Sequence, residues 1–511
     1  MTFLNRYGSA IRSSVTIPHA AAAFFLLLTL ATVGQYGFFG DELYYIACSK
    51  HLAFGYVDHP PLVAFLTLVS TWIFGETMIG LRILSGLAGA VTVLLSARIA
   101  RILGGGTTSQ ALAALSICFA PAFPALSSFF SMNPVDIMLC TLFLYVFAHT
   151  IVAPSPMKWI GLGVLFGAGL LNKYTFLVLG FSVLMGLIIT RRWEELRSGW
   201  LYLGGAIALI MFLPHIVWQI EHGWPALEFM HNVTQGKNLS LSPLTLLGQL
   251  AIGLNPLTLP LWIGGTLYLL LAGEMKAFRF LGWTAVMFIA VYIVQNSKFY
   301  YLLPVFPLLL AAGAVALESF SLRRRIRWPA WVVGSAMTIS GLLLMPLAVP
   351  ILPVEQFVSY AKTLGLREMV RMEKGEGVAL PLHFAHRFGW EEKVDAVATA
   401  YHALPEHERE QCAILASWYG LAGAIDHFGP AHGLPPAICV HNSYWMWGTR
   451  GYTGAVVLAV GYDAHELGHY FDSVERVGYV EVPYDDDAAI FLCTKPKITI
   501  EAMWVQLKRF I

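Results

Sequence analysis

The chain has 511 residues, 57% of them apolar and only 12% charged, with 32 Lys and Arg against 31 Asp and Glu. Soluble chains carry about 25% charge, so there is too little polar material here to cover one water-soluble globule. A net charge of +1 without a broad basic surface excludes a nucleic-acid binder, and the apolar content excludes a disordered chain; what remains is a polytopic membrane protein.

Charge is distributed unevenly along the chain. Residues 1–350 hold 30 charged side chains and residues 351–511 hold 33, a step that sets a boundary near Pro350–Pro353. The expected fold is a polytopic α-helical membrane domain over 1–350, followed by a soluble extracytoplasmic α/β domain over 351–511. Cysteines 48, 118, 140, 412, 439 and 493 show no CxxC spacing and no disulfide framework.

A bilayer core about 30 Å thick requires roughly 20 apolar residues per helix. Runs meeting or approaching that length lie at 18–38, 78–97, 107–127, 134–152, 159–171, 174–190, 199–219, 243–271, 280–295, 301–318 and 328–350, which predicts about eleven transmembrane helices. The fifth and sixth meet at Asn172-Lys173 and read as a tight hairpin. Placing the N-terminus, with Arg6 and Arg12, in the cytoplasm puts 14 of the 19 Lys and Arg of 1–350 inside, as the positive-inside rule requires. Lys50, Arg82, Lys173, Lys237 and Lys298 are the five outside. An odd count then places the tail outside a plasma (inner) membrane. The first run has no cleavage site and reads as an anchor.

The outer loops collect polar chemistry. Asp41, Asp58 and Asp136 are the three aspartates of the first 350 residues, and all fall outside in this topology. Carboxylates at a membrane boundary are costly unless paired, which marks them as functional candidates. After the first run, residues 41–53 predict a short interfacial helix. Asp41 is its expected N-cap, with Leu43, Ile46, Ala47 and Phe54 toward lipid. Pro60-Pro61 opens a second helix over 62–74, lying along the interface. The interfacial segment thus spans about 40–75.

Asp41-Glu42 with Tyr44-Tyr45, His59-Pro60-Pro61-Leu62, Arg82 and Lys298-Phe299-Tyr300-Tyr301-Leu302-Leu303-Pro304 together resemble the integral-membrane glycosyltransferases of the family-39 type. That GT-C group includes the protein O-mannosyltransferases and the bacterial lipid A aminoarabinose transferases. The resemblance covers roughly 35–310 and extends to Asn133-Pro134-Val135-Asp136, Trp218-Gln219, His222-Gly223-Trp224-Pro225, Leu227-Glu228-Phe229 and His441-Asn442-Ser443-Tyr444-Trp445.

The resemblance implies inverting transfer of a sugar from a polyprenyl-monophosphate donor to a hydroxyl acceptor on a protein, glycolipid or polysaccharide. Asp41 matches the catalytic base, with Glu42 beside it in the acidic pair, and Asp136 matches a second acid of the cavity. Tyr301 matches a phosphate-pocket tyrosine. His59 stands where the family often has Lys, and histidine is only partly charged near neutral pH. Cations and oriented donors must stabilise the departing phosphate; Arg82, Lys173, Lys298, Tyr301 and His59 are the candidates. Trp224 and Glu228, in loop 221–242, are candidates for acceptor contact. A monophosphate donor requires no metal, although a divalent ion is compatible with it. Membrane lipid and the donor are the expected partners, and nucleic acid is not.

In the tail, strand-like runs at Cys412–Ser417, Ala437–His441, Ala455–Gly461 and Ala489–Thr494 alternate with helical runs at Glu391–His402, Tyr419–Phe428 and Ala464–Phe471. This predicts an α/β domain with a mainly parallel sheet. His465-Glu466-Leu467-Gly468-His469 matches HExxH. However, Gly468 weakens a helix only about eight residues long and no third ligand follows in pattern. A membrane-anchored zinc peptidase is therefore one alternative. A transporter or lipid flippase is the other, which should show internal repeats; none is evident.

Overall fold

The computed structural model describes residues 16–237, 242–365, 380–482 and 487–511. Arg6, Arg12, Asp485, Asp486 and the side chain of Lys237 lie outside the described residues. The chain forms two compact units. One comprises Met1–Gln35, Arg82–Val217 and Leu239–Thr363; the other comprises Tyr36–Leu81, Trp218–Asn238 and Leu364–Ile511. Contacts therefore group the first interfacial segment and most of loop 221–242 with the tail.

In the first unit every apolar run is helical. Met78–Ile102, Met132–Val152, Gly199–Glu221, Phe299–Arg324 and Trp328–Ala348 are long and apolar enough to cross a membrane. Pro243–Gly253 and Pro256–Leu271 meet at a 99° bend and make a sixth if counted as one broken span. The remaining runs form shorter helices: Thr16–Ala31, Thr107–Cys118 with Ala122–Ser127, Pro156–Asn172, Thr175–Ile189 and Arg279–Val294. Length and composition thus support five or six crossings among the described residues, fewer than the eleven apolar runs of the sequence.

A helix satisfies its own backbone in lipid, and a break must be satisfied by neighbours. At the bend Asn255 does this work: its side-chain amide donates to the Phe119 carbonyl (3.2 Å) and the Met337 carbonyl (2.8 Å), and Ser340 Oγ donates to its Oδ1 (2.9 Å). Phe306–Arg324 is buried continuously from Phe306 to Val315. A side chain on Gly313 would overlap the Leu261 carbonyl, and one on Gly265 would overlap that of Leu309. Small residues at such crossings allow close van der Waals packing, the main attraction between helices in lipid. Gly199–Glu221, by contrast, exposes Leu203, Leu209, Ile210, Leu213 and Val217, a face suited to acyl chains.

The second unit carries a five-stranded sheet. Its strands are β1 (Cys412–Ala416), β2 (Ile438–Cys439), β3 (Val456–Val460), β4 (Phe471–Val480) and β5 (Ala488–Pro496), in the order β2-β1-β3-β5-β4. β1 is parallel to β2 and β3, whereas β5 is antiparallel to β3 and β4. The sheet is therefore mixed, not mainly parallel. The unforeseen element is β4: it is an edge strand carrying Asp472, Glu475 and Arg476, so it lacks the apolar density of a buried strand. The predicted helix at 464–471 stops at Gly468.

The first interfacial helix is Gly40–Lys50, and it corrects two expectations. Its N-cap position is Phe39, whose backbone N–H donates to Glu42 Oε2 at 2.8 Å, so Glu42 rather than Asp41 supplies the capping carboxylate. Leu43, Ile46 and Ala47 do not face lipid. They are buried, and the helix packs against Tyr419–Phe428 of the tail. Amphipathic periodicity identified the apolar face but not what covers it. The second interfacial helix, Leu62–Phe74, buries Val63, Ala64, Thr67 and Ser70 and exposes Phe65, Trp72 and Ile73.

Candidate functional site

Sequence candidates Asp41, Glu42, His59, Trp224 and Glu228 lie in the second unit; Arg82, Asp136, Lys173, Lys298 and Tyr301 lie in the first.

In the second unit, Asp41 sits in the first turn of Gly40–Lys50, where the helix dipole favours a carboxylate. The phenol of Tyr419 donates to Asp41 Oδ1 at 2.9 Å. The Tyr419 ring stacks on Tyr44 at 4.4 Å between centroids and on His441 at 4.8 Å. Burial, then the carboxylates of Asp41 and Asp58, push the Tyr419 phenol well above its ordinary range. It therefore stays a proton donor.

Tyr44 Oη lies 2.7 Å from both Asp58 Oδ1 and Ser443 Oγ. An ionised carboxylate only accepts and a phenol has one proton, so Tyr44 donates to Asp58 and Ser443 donates to Tyr44. Burial and the Asp58 charge hold the Tyr44 phenol protonated. The Val57 N–H reaches Ser443 Oγ at 3.2 Å, tying the His59-Pro60-Pro61 segment to the tail.

His59 is fully buried and stacks on Tyr56 at 4.7 Å. Its Nδ1 donates to the Pro60 carbonyl (2.9 Å), and its Nε2 faces Cys48 Sγ at 3.9 Å. Both ring nitrogens are thus engaged within the protein, and the phosphate role read for this position finds no open nitrogen. Trp224 adopts a left-handed conformation (φ 59°) that starts helix Pro225–Asn232, and it is 43% exposed. Glu228 pairs with Lys508 at 2.7 Å, and Asn232 donates to the Phe510 carbonyl at 2.8 Å, so the tail holds this helix.

In the first unit the hairpin tip docks on the start of Met132–Val152. Ser131 caps that helix by accepting from the Asn133 N–H, and Asn172 Nδ2 donates to the Met132 carbonyl at 3.0 Å. Lys173, the C-cap of Pro156–Asn172, donates from Nζ to Asn133 Oδ1 at 2.6 Å. The same ammonium lies 4.1 Å from the Tyr301 ring centroid and 5.8 Å from that of Tyr300, in cation–π range. Asp136, one turn below Asn133, is buried and feels the Lys173 charge. Lys298 is the N-cap of Phe299–Val305, the turn that carries Tyr301. The fold thus brings Asp136, Lys173 and Tyr301 together. Arg82 is fully buried and donates to the Val33 carbonyl.

Sequence reasoning missed Tyr419, which lies three residues beyond the carboxyl end of β1. Ser443, noted only within the family resemblance, follows the carboxyl end of the adjacent parallel strand β2. Loops at the carboxyl ends of parallel strands are where open α/β sheets bind ligands, a signal usable only once the pairing is known. In the first unit, His215 was also missed; its Nε2 lies 2.9 Å from Tyr174 Oη. A histidine inside an apolar run was the available clue.

His465 and His469 sit one turn apart with centroids 4.9 Å apart. Among the described residues no group of three or more His, Cys, Asp or Glu is placed to hold a metal ion.

Residues 58–218 match the family model described as dolichyl-phosphate-mannose-protein mannosyltransferase. The chain is 27% identical over 221 residues to the lipopolysaccharide core galacturonosyltransferase RgtB of Rhizobium johnstonii, covering 43% of this chain and 44% of that protein. RgtA of the same organism is 25% identical over 215 residues, covering 41% and 42%. The chain therefore spans under half the length of the curated relatives it matches. Among solved structures, ArnT from Cupriavidus metallidurans bound to undecaprenyl phosphate aligns with a TM-score of 0.61 at 15% identity, covering 93% of this chain and 97% of that one. The Archaeoglobus fulgidus oligosaccharyltransferase aligns at 0.52 and 13%, covering 83% and 64%. The chain has the fold of the GT-C membrane glycosyltransferases, as the sequence resemblance implies: a polytopic helical membrane domain with a small C-terminal sheet domain.

Proposed function

We propose that this chain transfers a sugar from a polyprenyl-monophosphate carrier to a hydroxyl of a cell-envelope glycolipid, at the extracytoplasmic face of the plasma membrane. The observation carrying this reading is the partly exposed Asp41 carboxylate, held by Tyr419 in the position that matches the family's base. The ArnT structure with undecaprenyl phosphate supports the carrier class, and the named activity of RgtA and RgtB supports a lipopolysaccharide-type acceptor.

In this mechanism Asp41 takes the proton of the acceptor hydroxyl as its oxygen attacks the anomeric carbon. The bond from that carbon to the phosphate oxygen breaks, and the phosphate leaves with the electron pair. Attack opposite the leaving group inverts the anomeric centre. Such a placed base contributes typically 10²–10⁴-fold. Lys173, Lys298, Arg82 and Tyr301 are the residues that the family resemblance offers for the charge that grows on the phosphate, and Asn133 orients the Lys173 ammonium. Trp224 and Glu228 contact the acceptor. No metal is required.

The test uses purified protein in nanodiscs, undecaprenyl-phosphate galacturonic acid as donor and lipopolysaccharide core as acceptor, read by mass spectrometry. Asp41→Asn is expected to lose at least about 100-fold in rate; near-normal turnover would sink the base assignment.

A further inference from the structure

We propose that Tyr419 is a positioning residue for Asp41, its phenol holding carboxylate oxygen Oδ1 while Tyr44 and His441 stack on its ring. The proposal rests on the reading of Asp41 as the base.

A carboxylate torsion is broad and nearly two-fold, so an aspartate in the first turn of a helix does not by itself present a fixed oxygen to a substrate. Tyr419 removes that freedom. Its 2.9 Å hydrogen bond selects one carboxylate oxygen, and the ring that delivers it is fixed. Tyr44 and His441 stack on it at 4.4 and 4.8 Å with interplanar angles of 27° and 28°.

The two stacked rings are themselves anchored. Tyr44 is tied to Asp58 and Ser443. His441 Nδ1 accepts from the Tyr419 N–H at 3.4 Å, so its proton lies on Nε2, which donates to the Ile511 carbonyl at 2.7 Å. Tyr419 and His441 follow the carboxyl ends of the parallel strands β1 and β2, while Asp41 and Tyr44 come from Gly40–Lys50. The rigid sheet thus sets where the carboxylate points. A catalytic group held by locked neighbours on regular elements keeps its productive geometry, and small misplacements are expensive in rate.

The experiment compares Tyr419→Phe, which keeps the stack and removes only the phenol hydroxyl, in the wild-type and Asp41→Asn backgrounds. It uses undecaprenyl-phosphate galacturonic acid and lipopolysaccharide core. The expected result is a fall in kcat of about 10-fold with an unchanged KM for the donor, and no further fall when Asp41 is already Asn. Wild-type kcat in Tyr419→Phe, or an equal fall in both backgrounds, overturns the proposal and leaves the base reading standing. Full activity of Asp41→Asn overturns both. If the Phe variant fails to fold, Tyr419→3-fluorotyrosine keeps the ring and makes a stronger donor. A kcat lowered at least twofold with an unchanged melting temperature supports the role, and an unchanged kcat refutes it.

Discussion

Gly423 lies against the backbone of Leu43: a Cβ built on Gly423 would come within 2.8 Å of the Leu43 carbonyl carbon and 2.9 Å of its oxygen. Backbone atoms cannot swing aside as a flexible side chain can. This contact sets how closely Gly40–Lys50, and with it Asp41, approaches the tail helix Tyr419–Phe428. Gly423→Val is expected to destabilise the second unit by about 1–3 kcal/mol, the usual cost of overpacking, and to lower activity through the displaced Asp41. Thermal unfolding alongside turnover checks this; a variant as stable and active as the wild type would show that the approach is not tight.

A second prediction concerns pH. Glu76 Oε2 lies 3.0 Å from His427 Nδ1 and Oε1 lies 2.7 Å from Lys50 Nζ. The His427 hydrogen bond, then Lys50, hold its carboxyl down to about 2. A depressed carboxyl stabilises the fold above its ordinary value of 4.5 and loses that contribution as pH falls toward about 2. The full depression corresponds to about 3 kcal/mol; solvent screening of a one-third-exposed side chain reduces it to about 1 kcal/mol. Melting of the wild type and Glu76→Gln between pH 7 and pH 3 should show an advantage at pH 7 that shrinks below about pH 4.5. A constant gap down to pH 3 would contradict it.

Lys173→Met removes the ammonium that bonds Asn133 and lies over Tyr301. If this ammonium meets the donor phosphate, kcat/KM should fall about 10–100-fold, the range for a charge-assisted contact of 1.5–3 kcal/mol. Asn133→Ala, which leaves the charge in place, should cost less. Titration with undecaprenyl phosphate gives an independent readout; equal affinity of Lys173→Met and wild type would remove Lys173 from the phosphate site.

Glu42 is buried and accepts from the Phe39 N–H at 2.8 Å. Its loss leaves a helix terminus without its cap, a cost of about 1 kcal/mol, typical of caps. Glu42→Ala should therefore lower the melting temperature, whereas Asp41→Asn should chiefly lower the rate. Reversal of that order would assign the chemistry to Glu42.

Prolonged dialysis against EDTA should leave transfer within twofold of the untreated protein, because the mechanism stabilises a monophosphate with side chains. Metal analysis of the same preparation completes the test. Stoichiometric zinc that disappears in His465→Ala would return the HExxH segment to consideration.

Several candidate residues were legible one by one. Asp41, Asp136 and Lys173 stood out because a carboxylate or ammonium beside an apolar run is energetically conspicuous. Tyr419 did not stand out, since a tyrosine beginning an ordinary helix carries no such signal; only the pairing of β1 with β2 identifies its loop. His59 is a related case. The family resemblance offered it for the phosphate, while burial among Tyr44, Tyr45 and Tyr56 packs its ring within the protein.

Composition and periodicity determined that this chain is a helical membrane protein with a tail of mixed helices and strands, because apolar length and charge density are local properties. They also located the apolar face of residues 40–50. Tertiary structure alone decided that this face meets the tail rather than lipid, that the sheet is mixed, and that a tail tyrosine holds Asp41. Those outcomes depend on which distant surfaces complement one another, and burial energy rewards covering an apolar face without specifying from where in the chain the cover comes.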